Sequence, residues 1–206
     1  IDYQVVEAPS SAPWRKLTEL SRRAAALDDA IAAHESQAGA FDLVFSHLHK
    51  TDRIVSRCRT IAPQKLWFCI HGILSTSYLG HRQGLSRWFK RQKIARIYQG
   101  KNIVAVSTAA AEALPAQLGI TPARLAVINN PFDIAAIQQQ AAEPLAVAGE
   151  PYLVHVGRFH PHKRHDRLLA AYAASGIQAS LVLVGTGDEQ RIAAVKAQAQ
   201  ALGIAD

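Results

Sequence analysis

The sequence predicts an α/β fold with parallel sheets, because short apolar segments alternate with longer helical segments along the whole chain. Segments such as Leu66–Ile70 and Ser180–Val184 are nearly uninterrupted apolar runs, which is typical of parallel strands that helices cover on both faces. The strands predicted in this way, which we expect to be buried, are Ile1–Val6, Phe41–Ser46, Leu66–Ile70, Asn102–Val106, Leu125–Ile128, Tyr152–Val156 and Ser180–Val184.

The segments between these strands carry helix signals. Apolar residues recur every three or four positions in the first segment, which Ser11 can cap and in which Pro13 suits the first turn. Ser107 can cap a later helix, and Gly119 can end it. The predicted helices are Pro13–Gln37, Lys50–Arg59, Gly84–Tyr98, Thr108–Leu118, a segment at about 163–174, and Asp188–Leu202.

The alternating pattern is interrupted once. Residues 138–150 are rich in Gln, Ala, Pro and Gly and have little periodicity, which predicts a linker. The linker separates a Rossmann-like domain at 1–137 from the start of a second one at 151–206. Ligands of such open sheets bind at the carboxyl ends of the strands. The polar or glycine residues at predicted strand ends are His47, His71, Ser107, Asn130, Gly157 and Gly185.

Composition and charge limit the possible partners. The chain has 206 residues, of which 49% are hydrophobic, and two cysteines, which are too few for a disulfide scaffold. No apolar run reaches the roughly 20 residues of a membrane-spanning helix, so we expect a cytoplasmic protein. The net charge of +7 is uneven, because residues 47–101 hold 12 Lys and Arg residues against the single acid Asp52. This asymmetry predicts a basic surface patch.

A segment near the end of the chain has the composition of an anion site. The strand Tyr152–Val156 runs into Gly157 and Arg158, and Lys163 follows just before a helix. A helix start favours anions, and each cation would add a charge-assisted hydrogen bond of about 1.5–3 kcal/mol. We therefore expect Arg158 and Lys163 to bind a phosphate-bearing ligand without a metal ion or other cofactor. The alternative is a solvated basic loop.

Six stretches, taken in order, carry a family resemblance. They are FDLVFSH (41–47), FCIHG (68–72), IVAVS (103–107), VINNPFD (127–133), VGR-x4-K (156–163) and LVLVGTGDE (181–189). Together they resemble the family 4 glycosyltransferases, which have the GT-B fold of two Rossmann-like domains. The resemblance implies an acceptor-side N-terminal domain, a C-terminal domain that binds a nucleotide sugar, and hexosyl transfer with retention of anomeric configuration.

The resemblance also implies roles for particular residues. Arg158 and Lys163 would hold the donor diphosphate, and His71 would contact the donor sugar near the reacting carbon. Gly157, Gly185 and Gly187 would approach the donor, whereas His47 and His49 would line the acceptor side. The acceptor implied is a glycan or glycolipid of the bacterial cell envelope, such as the lipopolysaccharide core.

The chain departs from the family pattern at several points. It begins with Ile, contains no Met, and lacks the family's early Gly-rich loop and its later Glu-x7-Glu motif, so we expect the interior of a longer enzyme. Arg164 stands where the family often has glycine, and Asp188 where it often has proline. These departures leave the shape of the local loops open.

Other readings of these residues remain open. His47 and His71 are also compatible with strand-end histidines that satisfy local backbone groups. A cluster of three histidines (His160, His162 and His165) permits a metal site, although neighbours of a phosphate site explain it more simply. The Gly185–Gly187 turn resembles a dinucleotide fingerprint, but the third glycine position is Gln190.

The basic helix Gly84–Tyr98 also has two interpretations. Its apolar residues Leu85, Trp88, Phe89, Ala95 and Tyr98 can share one side, flanked by cations. Such a helix can lie on an anionic membrane, here the inner face of the cytoplasmic membrane, or it can bury Leu85, Trp88 and Phe89 in the core. Nucleic acid is an unlikely partner, because the aromatic spacing does not suit base stacking.

Two alternative functions are compatible with the sequence. A nucleotide-sugar epimerase of the GT-B fold would share the phosphate site but would need no acceptor. A non-catalytic module that binds anions or nucleic acid would use the basic stretch 47–101 instead.

Overall fold

The computed structural model of the chain describes residues 18–143 and 151–205. It divides into two compact units, Ile1–Phe132 and Asp133–Asp206. Strands and helices alternate in both units, and every described strand pairing is parallel, so the predicted α/β class is confirmed. The predicted strand Ile1–Val6 and the predicted helix start at Ser11 and Pro13 lie outside the described residues.

The first unit contains a four-stranded sheet in the sequential order β1-β2-β3-β4. Its strands are β1 (Val44–His47), β2 (Leu66–Ile70), β3 (Asn102–Ala105) and β4 (Arg124–Val127). Its helices are α1 (Glu19–Ala38), α2 (His49–Val55), α3 (Leu74–Leu79), α4 (Gly84–Tyr98) and α5 (Thr108–Ala113). Parallel pairing in register places the carboxyl ends of β1 and β2 side by side, with His47 opposite Cys69.

The core of the first unit lies between the sheet and its helices. Phe68 on β2, Ile103 on β3 and Ile94 on α4 are fully buried in one cluster. The inner strands β2 and β3 are much more buried than β4, because strands pair with them on both sides. This core fixes the strand ends on which the predicted site residues lie.

The second unit is smaller and contains two described strands. Helix α6 (Ile134–Ala141) precedes β5 (Tyr152–Val156), and α7 (His165–Ser175), β6 (Ser180–Val184) and α8 (Glu189–Ala201) follow. The expectation of a buried β5 is wrong, because Tyr152, Leu153, Val154 and Val156 are exposed. Among the described residues β5 pairs with β6 alone, so little covers it.

Several local features differ from the sequence prediction. Residues 138–141 of the predicted linker continue helix α6, and residues 144–150 lie outside the described part. Helix α3 was not predicted, because six residues are too short to show a clear period. Ser107 caps α5 as expected, but the helix then widens into a π-turn at Leu114–Leu118, where Pro115 has no N–H to donate.

No helix in the described ranges is long and apolar enough to cross a membrane. Both cysteines, Cys58 and Cys69, are free thiols.

Candidate active site

The structure joins the two histidines that were predicted at neighbouring strand ends. His47 ends β1 and His71 directly follows β2, and their ring nitrogens Nδ1 and Nε2 lie 2.9 Å apart. Both rings are exposed to solvent. Because one nitrogen must donate and the other accept, the hydrogen bond exists only while at most one ring carries an extra proton. The family resemblance implies separate roles for these two residues, whereas the structure places them in contact as a pair.

The third predicted histidine of this region points inward. His49 is buried, and its Nδ1 lies 3.0 Å from the hydroxyl of Tyr98, while its ring packs against Tyr78. Burial, together with the positive charges of Lys90 and Arg53, lowers the pKa of His49 to about 4, so the ring is neutral at pH 7. His49 therefore forms a wall of the site from inside the unit.

Sequence reasoning missed the carboxylate at the centre of this region. Asp52 on α2 is 1% exposed and accepts hydrogen bonds of 2.6 Å from the hydroxyls of Ser46 and Tyr98. Burial raises the pKa of Asp52 to about 6, against the two hydrogen bonds and the charge of His71, which lower it. A signal was present in the sequence, since Asp52 is the only acid in the basic stretch 47–101.

A small cavity of about 130 Å³ opens at this edge of the sheet. Polar or titratable side chains contribute much of its lining, namely those of His49, Asp52, Cys69, His71, Ser77, Tyr78 and Tyr98. This volume is many times the 10–15 Å³ that one water requires, so the cavity can admit polar groups of a ligand as well as water. The predicted His71-Gly72 step forms part of its rim.

The turn between the outward-facing His47 and the inward-facing His49 is strained. Leu48 has φ 71° and ψ 131°, a backbone conformation that residues other than glycine rarely adopt. It reverses the chain so that His47 reaches His71 while His49 reaches Tyr98. Strain of this kind typically costs about 1–3 kcal/mol and persists where the surrounding structure imposes it.

In the second unit, both predicted phosphate-binding cations lie at one glycine. Gly157 directly follows β5, Arg158 comes next and is exposed, and the aliphatic chain of Lys163 packs back over Gly157. A Cβ atom on Gly157 would lie 3.4 Å from Cδ of Lys163. No ion pair among the described residues includes Arg158 or Lys163, so no described carboxylate neutralises either cation.

The helix after this turn begins later than predicted. Pro161–Lys163 forms a 3-10 turn, and Arg164 adopts the left-handed conformation with φ 52° before α7 starts at His165. Glycine adopts the left-handed conformation more readily than other residues, so Arg164 holds a backbone conformation that would suit glycine better. Arg164 forms an ion pair with Asp166 at 2.6 Å, and this hydrogen bond lowers the pKa of Asp166 to about 2.

The glycines of the turn after β6 have a packing role. A Cβ atom on Gly185 would overlap the carbonyl oxygen of Gly157, and one on Gly187 would lie 2.6 Å from Cβ of Phe159. The N–H of Gly157 also donates to the carbonyl of Val184. Gly185 and Gly187 thus let the turns after β5 and β6 pack together, which shapes the loop that carries Arg158.

The three histidines of this loop fall into a surface pair and one buried ring. His160 and His162 stack with ring centroids 4.8 Å apart at the surface. His165 is buried and stacks on Phe159 at 4.8 Å, with its edge against His155. The buried ring of His165 therefore packs against the inner side of the loop.

Within the described part of the chain, helix α4 packs on the core through its carboxyl-terminal half. Ile94, Ile97 and Tyr98 are buried, so the suggestion that Tyr98 shares an outer face is wrong. Leu85, Trp88 and Phe89 are 76%, 51% and 56% exposed, so the interpretation that places these three in the core is also wrong. The rings of Trp88 and Phe89 pack edge to face at the surface, among the cations of the helix.

Comparison with solved structures identifies the fold as that of GT-B glycosyltransferases. HepE of Anabaena in complex with UDP and glucose matches 93% of the chain with a TM-score of 0.62 and 22% identity, and its complex with UDP matches 94% with 0.61 and 20%. A glycosyltransferase from Rickettsia africae ESF-5 matches 97% of the chain with a TM-score of 0.55 and 16% identity. The chain spans 51% of the length of each of these proteins.

The chain belongs to glycosyltransferase family 4. The family model described as Glycosyltransferase Family 4 matches residues 2–136. A second model, described as Glycosyl transferases group 1, matches residues 137–206, which include Arg158 and Lys163. The resemblance stated from the six sequence stretches is thereby confirmed. No curated protein matches the chain.

Proposed function

We propose that the protein transfers a sugar from a nucleotide-sugar donor to a glycan or glycolipid acceptor, as a retaining hexosyltransferase. The observation that carries this proposal is the placement of two cations at the carboxyl end of β5, where Arg158 directly follows Gly157 and the aliphatic chain of Lys163 packs over that glycine. These cations have no acidic partner among the described residues, and they lie in the part that matches the group 1 model.

The chemistry of sugar transfer explains why two cations are useful at this turn. Cleavage of the bond between sugar and diphosphate leaves negative charge on the leaving oxygen while the sugar becomes cationic. Fixed positive charges stabilise the leaving group more in the transition state than in the ground state. We propose that Arg158 and Lys163 supply them without a metal ion, and that Gly157, Gly185 and Gly187 let the backbone approach the donor.

The histidines of the first unit complete the proposal. We assign to His71 a contact with the donor sugar near the reacting carbon, and to His47 and His49 the acceptor side. His47 reaches this role through its exposed ring, whereas His49 contributes as a wall of the cavity.

The binding proposal is tested by titrating the protein with UDP, because HepE was crystallised with that nucleotide. The loss of a charge-assisted hydrogen bond of about 1.5–3 kcal/mol predicts that Arg158→Ala and Lys163→Ala each weaken binding about 10- to 150-fold. Arg167→Ala is the matched control, since Arg167 is an exposed cation on the following helix. Equal affinity of Arg158→Ala and Arg167→Ala would overturn the proposed phosphate site.

The same titration, extended to other ligands, separates the alternatives. Salt-sensitive binding of oligonucleotides that is unaffected by Arg158→Ala would favour a nucleic-acid-binding module. Interconversion of the nucleotide sugar without an acceptor would favour an epimerase. Transfer of labelled sugar only when an acceptor glycan is present supports the transferase.

We further propose that the acceptor is a glycolipid of the bacterial cell envelope, reached at an anionic membrane surface through α4. Support comes from the exposed side chains of Leu85, Trp88 and Phe89 beside the cations of this helix. Flotation with anionic liposomes should recover the protein, whereas neutral liposomes should not. The triple change of Leu85, Trp88 and Phe89 to Ser should abolish recovery, and equal recovery with both lipids would refute this role.

A further inference from the structure

A groove between helices α2 and α4 is lined mainly by cations. It has a volume of about 500 Å³, and its lining consists of Arg53, Ser56, Arg57, Lys93, Arg96 and Ile97. Cavities of about 300–1,000 Å³ are typical of small-ligand sites, but the lining of such sites is usually apolar. A cavity of this size with four cations and no acid in its lining favours an anionic ligand.

The sequence pattern explains why the cations share one groove. Three lining residues come from α2 and the two positions after it, and three come from α4. In each set the second and third residues follow the first by three and four positions, a spacing that places side chains on one face of a helix. Val55 on α2 and Ile97 on α4 are buried in the same apolar cluster, so the core holds the two helices on either side of the groove.

No described acid neutralises these four cations. They are exposed, and no ion pair among the described residues includes any of them. Asp52, the single acid of the stretch 47–101, is buried and accepts from Ser46 and Tyr98 instead. Like charges gathered in one place repel each other and reduce stability. A bound anion would remove this repulsion.

Interactions with the helix ends account for only part of this arrangement. Arg53 and Arg96 lie in the last turns of α2 and α4, where a cation complements the helix dipole. Arg57 donates one guanidinium N–H to the carbonyl of Arg53, which leaves four N–H groups for other acceptors. Lys93 lies before the last turn of α4, so the helix end does not explain its place in the lining.

The groove lies away from the candidate active site of the first unit. Helix α2 begins close to His47 at the carboxyl end of β1 and runs back toward the amino ends of the strands. Helix α4 leads into the amino end of β3, so its last turns lie at that same side of the sheet. The cations of the groove belong to the carboxyl-terminal parts of both helices. They therefore form a site distinct from the edge that holds His47 and His71, and the donor-binding turn at Arg158 belongs to the other unit.

We propose that this groove is a second anion site, which binds a phosphate monoester or diphosphate group. Guanidinium groups bind two phosphate oxygens at once, and a lysine adds a compact charge. The hydroxyl of Ser56, whose bond to the carbonyl of Arg53 is long at 3.3 Å, can turn to donate to a phosphate oxygen. The lining holds no aromatic ring on which a base could stack, so it does not favour a nucleic acid. A soluble phosphate compound and a lipid headgroup present the same chemical group to these cations.

Titration with inorganic pyrophosphate in about 0.1 M salt tests the site, because the ions of the solution weaken the effect of distant charges. The parent protein is the full chain with Arg158→Ala and Lys163→Ala, so that the donor-binding turn does not contribute. We expect the parent to bind pyrophosphate. Adding Lys93→Gln and Arg96→Gln should weaken binding about tenfold, a modest factor because both cations are exposed.

The matched control removes the same charge from exposed positions outside the groove, through Arg87→Gln on α4 and Arg124→Gln on β4. It should leave the affinity of the parent unchanged within about twofold. Equal weakening by the two pairs of changes, or a parent that does not bind pyrophosphate, would overturn the site. The UDP titration that tests Arg158 compares that variant with wild type, so either proposal can fail while the other stands.

Vesicles that contain phosphatidic acid separate the two sources of the phosphate. If a lipid headgroup is the ligand, Lys93→Gln with Arg96→Gln should reduce vesicle affinity about tenfold relative to the control, and pyrophosphate should displace the parent from the vesicles. If the ligand is soluble, the two variants should bind vesicles equally and still differ in pyrophosphate affinity. Equal behaviour of the two variants with both probes would overturn the site.

Discussion

Replacing Asp52 by Asn should stabilise the protein at neutral pH, although most substitutions of buried polar groups destabilise. The pKa of Asp52 rises from its ordinary value of 3.8 to about 6 on folding. A shift of about two units at about 1.36 kcal/mol per unit means that burying the ionised carboxylate costs about 3 kcal/mol above pH 6. Below pH 3.8 the group is protonated in both states, and this cost disappears.

The sign of the effect can be isolated by comparing variants. His49 shifts in the opposite direction, because its pKa falls to about 4 on folding, so its contribution to stability grows with pH in the same window. The two trends oppose each other in the wild-type protein. The informative quantity is therefore the difference in free energy of unfolding between Asp52→Asn and wild type at each pH, in which the contribution of His49 largely cancels.

Urea denaturation at pH 4 and pH 7.5 measures this difference. We expect the free energy of unfolding of Asp52→Asn, relative to wild type, to increase by about 2.5 kcal/mol from pH 4 to pH 7.5. At both pH values the altered hydrogen bonds lower this difference by about 1 kcal/mol. Asp42→Asn, which changes an exposed carboxyl group, should show no such growth. If Asp52→Asn is destabilised equally at both pH values, the carboxyl group is not held as an uncompensated buried charge.

Two further stability predictions concern the turns of the second unit. Arg164→Gly and Arg164→Ala both lose the ion pair to Asp166, but the glycine variant should be more stable by about 1 kcal/mol because φ is 52°, and equal stability would contradict the left-handed conformation. Gly185→Ala should destabilise the second unit by about 1–3 kcal/mol in thermal denaturation, because its Cβ would overlap the carbonyl of Gly157. Gly72→Ala is the control and should cost less than about 1 kcal/mol, because a Cβ there would meet no atom within 4 Å.

The fold could be predicted from the sequence wherever local signals agree with burial. The bounds of β2, α4, β5 and β6 were predicted to the residue, because each is a periodic or continuous apolar run between clear turn residues. Helix α3 was missed because it is short, and β5 is more exposed than its composition suggests. Exposure depends on which elements cover a strand, and composition alone does not record this.

The candidate site could be predicted only in part, for a related reason. Positions at strand ends follow from the pattern, and the structure does place His47, His71 and Gly157 at the ends of their strands. The hydrogen bond between the histidines depends on the register of β1 against β2 and on the positive φ of Leu48, which no local propensity indicates. The burial of Asp52 depends on the packing of α2 against β1 and Tyr98. The outward side of α4 likewise depends on the core, which accepts Ile94 and Ile97 and leaves Trp88 outside.

A crystal structure of the protein with a bound nucleoside diphosphate would test the donor site most directly. We expect diphosphate oxygens within about 3 Å of the guanidinium group of Arg158 and the ammonium group of Lys163, beside Gly157. A nucleotide bound elsewhere, with these two side chains free in solvent, would contradict the assignment of this turn as the donor-binding site.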